Sequence, residues 1–309
     1  MTPAVSQYES TIAEHGALMR RVALAAVVTG LFLVAIKIIA FIVTDSVAMM
    51  ASLADSALDV IGSFVNLLAV RHALTPADRE HRFGHGKAEP LAGLAQGAFI
   101  AGSAMFLVVE SAERLIAPRP VEHGFAGLAV MAVSIAAAIC LVVAQRFVVK
   151  RTGSIAINAD FMHYLGDIGV NLGVIVAIVL ATNFRLQAAD PVIGILVAFL
   201  LAAGSWNVFR QSCNQLMDRE LPDADRERIK RIVMRHPEVH DMHDLRTRAA
   251  GLRAFIQVHI ELDPALGLMA AHKIADEVEA ALNEAFPNAE VIIHEDPEGY
   301  EAVAGLAKS

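Results

Sequence analysis

Four side chains have the types and intervals of a metal-ligand set, although they lie in stretches that are otherwise apolar. Asp55 and Asp59 stand four residues apart in SLADSALD, and His163 and Asp167 repeat that interval in DFMHYLGD. At helical spacing each pair shares one face, one member above the other. An ionised carboxylate inside a bilayer is costly unless it is paired, wetted or bound to a cation. Three carboxylates and one imidazole brought together make a tetrahedral donor set for a borderline divalent metal. The residues therefore read as a chain that moves a divalent metal ion across a membrane. Loading such a site needs ionised carboxylates and a neutral imidazole, so metal binding releases protons and protonation favours metal release. His163 is then the leading proton carrier, with H+ as the counter-ion. Asp160, one turn before His163, reads as an entry carboxylate or as a residue that caps or anchors the helix at the interface.

The elements that must hold these residues are membrane helices. Of 309 residues, 56% are apolar and 19% charged, and the mean hydropathy is +0.52, above the range of ordinary soluble domains. After a polar segment 1–21, apolar runs cover roughly 22–43, 47–72, 89–116, 124–149, 155–181 and 191–208, each long enough to span. This predicts a six-helix transmembrane domain over 22–212, with Asp55 and Asp59 near mid-depth and a very short turn at 44–46. Lys37 falls inside the first run, where it must snorkel or pair with a neighbour. Gly93 and Gly97 form GxxxG, a smooth face for a dimer or for packing within one protomer. Nine Lys and Arg flank the spans on the side of the leading segment, against three on the other. Both termini are therefore expected in the cytoplasm.

Past a linker at 213–220, residues 221–297 read as a soluble α+β unit, followed by a flexible tail at 298–309. LPDADRERIKRIVMRH opens with helix-start signals, MHDLRTRAAG and LRAFIQVHIEL alternate like strands, a second helix covers about 267–286, and AEVIIHED closes as a strand. The order predicts an αββαβ open-faced sandwich with both helices on one side of a small sheet. From Asp218 onward there are 19 acidic and 11 basic residues, a difference of −8 that equals the whole net charge. With no basic patch, nucleic acid is not an expected partner. Cys140 and Cys213 are isolated and give no thiolate site. No HExxH lies on a span, so an intramembrane metalloprotease is excluded, and no enzymatic activity is expected.

The paired Asp55/Asp59 and His163/Asp167, the loop string DREHRFGHGKAE and the tail strings HDLRTR, FIQVHIEL and VIIHEDP resemble the cation diffusion facilitator family, in its bacterial zinc, cadmium and ferrous-iron efflux branch. The resemblance covers roughly residues 15–297. It implies a homodimeric, proton-coupled exporter in the bacterial inner membrane, carrying Zn2+ foremost and also Cd2+ and Fe2+. It places the transport site on Asp55, Asp59, His163 and Asp167, and a loop site on Asp78, His81 and His85, which leaves room for water or a fourth ligand. A cytoplasmic binuclear zinc site falls on His243, His259, His272, His294 and Asp296. Strand alternation turns His259 away from the helix-covered side. His272 shares a polar helix face with Asp276 and Glu279, so it is expected to complete a site across the dimer interface. His15, His72, His123, His236 and His240 match no ligand position. The competing reading is a membrane-tethered metal sensor or storage protein without transport, which would not need charged pairs at mid-bilayer.

Overall fold

A computed structural model describes residues 3–44, 47–117, 125–184 and 188–299. The chain divides into two compact units, 17–213 and 214–309, the latter grouped with residues 1–16. The first is built from helices α1 (Pro3–Thr44), α2 (Val47–Ala73), α3 (Ala88–Ile116), α4 (Phe125–Thr152), α5 (Ile155–Phe184) and α6 (Ala189–Leu216). α1 begins at Pro3 rather than near residue 22, so the helix extends through the polar leading segment as well as the apolar run. The 44–46 turn falls largely outside the described residues.

The shortest of the six, α2, has 27 residues, or about 40 Å at 1.5 Å per residue, more than a bilayer core. Among the described residues five helices are also apolar enough to cross a membrane; α5 is not one of the five. Its 30 residues include Asn158, Asp160, His163, Asp167 and Asn171, the price of carrying the polar site. Large apolar side chains such as Ile42, Phe106 and Phe199 face outward while Glu89, Gln145 and Asp160 are buried. That inside-out distribution is the signature of a lipid solvent. The molecule is a multi-pass membrane protein.

The GxxxG face is spent inside the protomer. A Cβ on Gly93 would meet Ile155 and Ser212 at 2.7 Å, and Gly97 lies against Ser205 and Phe209. The Ser205 hydroxyl donates to the Gly97 carbonyl at 2.6 Å. These glycines let α3 approach α5 and α6 closely.

The second unit contains α7 (Asp223–Val233), β1 (Asp241–Ala250), β2 (Arg253–Leu262), α8 (Leu268–Ala285) and β3 (Ala289–Pro297). β1 pairs antiparallel with β2 through a two-residue link in which Gly251 has φ +62°. β3 returns parallel to β2, an arrangement that needs a crossover, which α8 supplies. The core joins Ile229 and Val233 of α7, Ile256 and Ile260 of β2, Ile274, Val278 and Leu282 of α8, and Val291 of β3. The expected linker is not free chain. α6 continues to Leu216 and ends with Asp218 at φ +54°, while the Arg219 amide donates back to the Asn214 carbonyl at 2.9 Å. Beyond it the Glu220 carboxylate accepts from the Thr247 amide at 2.9 Å and also from its hydroxyl, tying the segment to β1. Of the expected flexible tail, residues 300–309 lie outside those described.

Candidate metal centres

α2 and α5 bring the central pairs together because α5 is started with care. Gly153, at φ +66°, ends α4, and Ser154 caps α5 by accepting from the Ile157 amide at 3.2 Å. The buried Glu89 carboxyl accepts from the Ala156 amide at 3.4 Å, satisfying one of the free donors at the helix N-terminus. About two turns on, His163 Nε2 lies 3.0 Å from Asp59 Oδ1 and 3.7 Å from Asp167 Oδ2. One ligand atom from each of Asp59, His163 and Asp167 lies within 4.8 Å of the others. Nε2 is buried yet makes no well-angled hydrogen bond. A ring nitrogen held among carboxylate oxygens is a donor set that suits a borderline divalent cation. Phe99 and Tyr164 pack edge-on against the imidazole, with ring centroids at 5.8 and 5.5 Å, and restrict its tilt.

Asp55 is the member left out of this trio. It lies one turn before Asp59 with an exposed side chain, inside the electrostatic reach of Asp59, Lys37 and His163. Lys37 does pair with a neighbour: its ammonium donates to the Ser52 carbonyl at 3.1 Å and to the Ser56 hydroxyl at 2.6 Å. Asp160 is neither an entry carboxylate nor a cap. It is fully buried in α5, accepting from Ser63 at 3.3 Å and Gln145 at 2.7 Å. Ser63 also bonds the Tyr164 hydroxyl at 3.2 Å, and Tyr164 donates to the Ala26 carbonyl at 3.2 Å. This polar lattice joins α1, α2, α4 and α5 one turn from His163.

The second cluster stands in the loop after α2, where ligand atoms of Asp78, His81 and His85 lie within 4.8 Å of one another. Asp78 Oδ1 accepts from the amides of His81 and Glu80 at 2.7 and 2.9 Å. Those bonds, the His81 amide foremost, hold its carboxyl below the usual carboxylate range. Its other oxygen points at His85 Nε2, 3.3 Å away.

The third cluster is a product of strand register. His243 of β1 faces His259 of β2, which faces His294 of β3. Asp296 Oδ2 reaches His259 Nδ1 at 2.8 Å and His243 Nε2 at 3.3 Å, and Asp296 Oδ1 lies 3.4 Å from His294 Nε2. His243, His259 and Asp296 form a ligand trio, and the His294 ring lies tilted against His259, with centroids 4.5 Å apart. His272 stays apart on exposed α8, facing Asp276 at 3.7 Å.

Residues 22–217 match the cation efflux transmembrane domain and residues 221–298 the cation efflux protein cytoplasmic domain. The chain belongs to the cation efflux family, the cation diffusion facilitators. It is 44% identical to a cation-efflux pump FieF of Shewanella oneidensis over 88% of this chain and 92% of that one. It is 41% identical to the FieF of Serratia proteamaculans over 92% of this chain and 94% of that one. A solved structure titled as the zinc form of a putative zinc transporter, CzrB, is 35% identical over 28% of this chain and 99% of that one, at a TM-score of 0.26. Metal cation efflux is the activity of the family, which consists of transporters.

Two carboxylates beside the tail cluster of this efflux protein escaped the sequence reading. Glu261 Oε1 lies 3.2 Å from His243 Nδ1, and Asp244 Oδ2 lies 3.9 Å from His259 Nε2. Glu261 is two residues from His259 and could have been found from strand alternation. Asp244 could not: it turns toward the site only because β1 bulges there, with φ +46°.

Proposed function

We propose that this cation efflux protein is a proton-coupled antiporter that exports divalent transition-metal ions, Zn2+ foremost and also Cd2+ and Fe2+, across the bacterial inner membrane. The observation that carries this reading is the Asp59/His163/Asp167 trio on two facing helices of an apolar bundle, with a buried imidazole nitrogen left without a hydrogen bond. Asp55, one turn away on α2, supplies the fourth ligand when a cation draws it in. An imidazole among carboxylates favours zinc and its softer neighbours over manganese. The six long helices each cross the bilayer, α5 included, and both termini are cytoplasmic.

The tail is an αββαβ open-faced sandwich that assembles as a homodimer, with zinc held by His243, His259, His294 and Asp296 on its open face. His272 on α8 reaches a metal across the dimer interface, because on its own protomer it stands apart from the row of histidines. Mutating His272 to Ala in the full chain is expected to leave one metal per tail in place and to weaken dimerisation under zinc, as read by analytical ultracentrifugation in detergent. An unchanged dimer would remove His272 from the interface.

Transport is tested by zinc, cadmium, ferrous-iron and manganese flux into proteoliposomes under an imposed pH gradient. Zinc flux coupled to opposite proton movement, and lost in Asp59→Ala and His163→Ala, is the expected result. Flux of manganese alone, or zinc binding with no flux in either direction, would overturn the reading.

A further inference from the structure

The loop cluster supplies only three ligands, one carboxylate and two imidazoles. Three protein ligands leave a tetrahedral ion open to water, as in catalytic zinc sites, whereas resident structural zinc has four. A further imidazole close by is His72, in the last turn of α2. Its ring centroid lies 4.5 Å from that of His85, as close as that of His81 at 4.6 Å. The His72 imidazole makes no hydrogen bond or ion pair to another described residue; its contact is the His85 ring.

The local backbone keeps these rings together. The Thr75 amide donates to the His72 carbonyl at 2.9 Å, and the Thr75 carbonyl lies 3.4 Å from His85 Nδ1. A proton on Nδ1 satisfies that carbonyl and leaves the Nε2 lone pair of His85 facing Asp78. His85 is 8% exposed and held in place, while His72 is exposed and can turn about its side-chain torsions. Its nitrogens are outside the trio as it stands, so the assignment requires the His72 side chain to turn toward Asp78.

We infer that His72 is the fourth ligand of the loop site, converting it from an open three-ligand position into a closed Asp78/His72/His81/His85 cage for a resident zinc-type ion. This rests on reading the loop trio as a metal site and adds the residue that decides its class. Three imidazoles and one carboxylate suit Zn2+ and disfavour the hard cations Mg2+ and Ca2+. A closed site holds its metal and clamps the end of α2 to the loop leading into α3; its ion is not cargo.

The test uses the full-length protein in detergent with Asp59, His163, His243, His259, His272, His294 and Asp296 replaced by Ala, so that the loop site is read alone with Zn2+ as the probe. X-ray absorption is expected to count three imidazoles on the zinc. In His72→Phe, which keeps an aromatic ring against His85, the count falls to two and zinc affinity drops at least about tenfold. His81→Ala controls for the site itself. If it leaves zinc binding unchanged there is no loop site, and both readings fall; if it removes zinc while His72→Phe changes neither count nor affinity, only the His72 inference falls. A second variant needs no altered background. His72→Cys in the otherwise intact chain is expected to add a Zn–S distance of about 2.3 Å, and the lack of any sulfur ligand would overturn the assignment.

Discussion

The trio in the helical bundle and the trio on the sheet are built from the same chemistry, His with Asp, but are held in opposite ways. In the tail, His243, His259 and His294 are neighbours because hydrogen-bonded strands are neighbours. Their spacing is the interstrand repeat of about 4.8 Å, fixed by a backbone ladder that must unfold to change. In the bundle, Asp59 and the His163/Asp167 pair are joined only by the packing of α2 on α5. A small slide of one helix alters both distances without breaking a backbone hydrogen bond. The imidazoles differ in burial as well: the side chain of His163 is 8% exposed, and those of His243 and His259 are 33% and 32%. A ladder preserves a geometry, and a helix pair can make and unmake one. The first suits a resident ion, and the second suits an ion that must be released.

The sharpest way to break this comparison is to remove one ligand from each side. Asp59→Ala is expected to lower zinc flux in proteoliposomes by more than about a hundredfold, while zinc bound by the tail, counted at equilibrium, stays unchanged. Loss of tail zinc in that variant would mean that the two centres are not independent. His259→Ala, the matching change on the sheet, is expected to cost tail zinc affinity about ten- to a hundredfold and to reduce flux less than Asp59→Ala does.

A smaller effect sharpens the claim that α5 is braced near His163. Asp160→Ala strands the Gln145 amide in the interior and is expected to destabilise the bundle by about 1–3 kcal/mol, read as earlier thermal unfolding of the full chain in detergent. A variant as stable as wild type would show that the Ser63, Gln145 and Tyr164 lattice is not what positions α5.

The smallest effect concerns the frame of the tail. The His236 ring bonded to Glu277 at 3.0 Å, aided by Lys273, holds the Glu277 carboxyl below its ordinary value. A depressed carboxyl stabilises the fold above the ordinary glutamate pKa and loses that contribution as pH falls through the lowered folded value. Glu277→Gln should therefore speed amide exchange in α8 slightly at neutral pH, and the difference should close below about pH 4. A gap that persists in acid would assign the effect to packing.

Much of this was legible in the chain because period and spacing are local properties. Alternation in FIQVHIEL placed Ile256 and Ile260 in the core with His259 on the other face, and the structure has them so. The i, i+4 intervals placed Asp59 and His163 on polar stripes of helices. What escaped was long-range: Asp160 sits one turn from His163, yet its role comes from Ser63 and Gln145, 97 and 15 residues away. The contacts of the 213–220 linker were not legible because nothing local announces that the Glu220 carboxylate will accept from Thr247, 27 residues on.

The sequence by itself determined which residues could be ligands, which face of each element they share, and that the first two-thirds of the chain must live in lipid. Those follow from the fixed rise and turn of helices and strands and from hydropathy, which need no partner. Only the tertiary structure decided that Asp59, His163 and Asp167 form the tight trio with Asp55 one turn off, that the Gly93/Gly97 face is consumed within the protomer, and that His72 lies against His85. The reason is physical: these depend on how one element packs against another, and packing is set by volumes and contacts far apart in the chain.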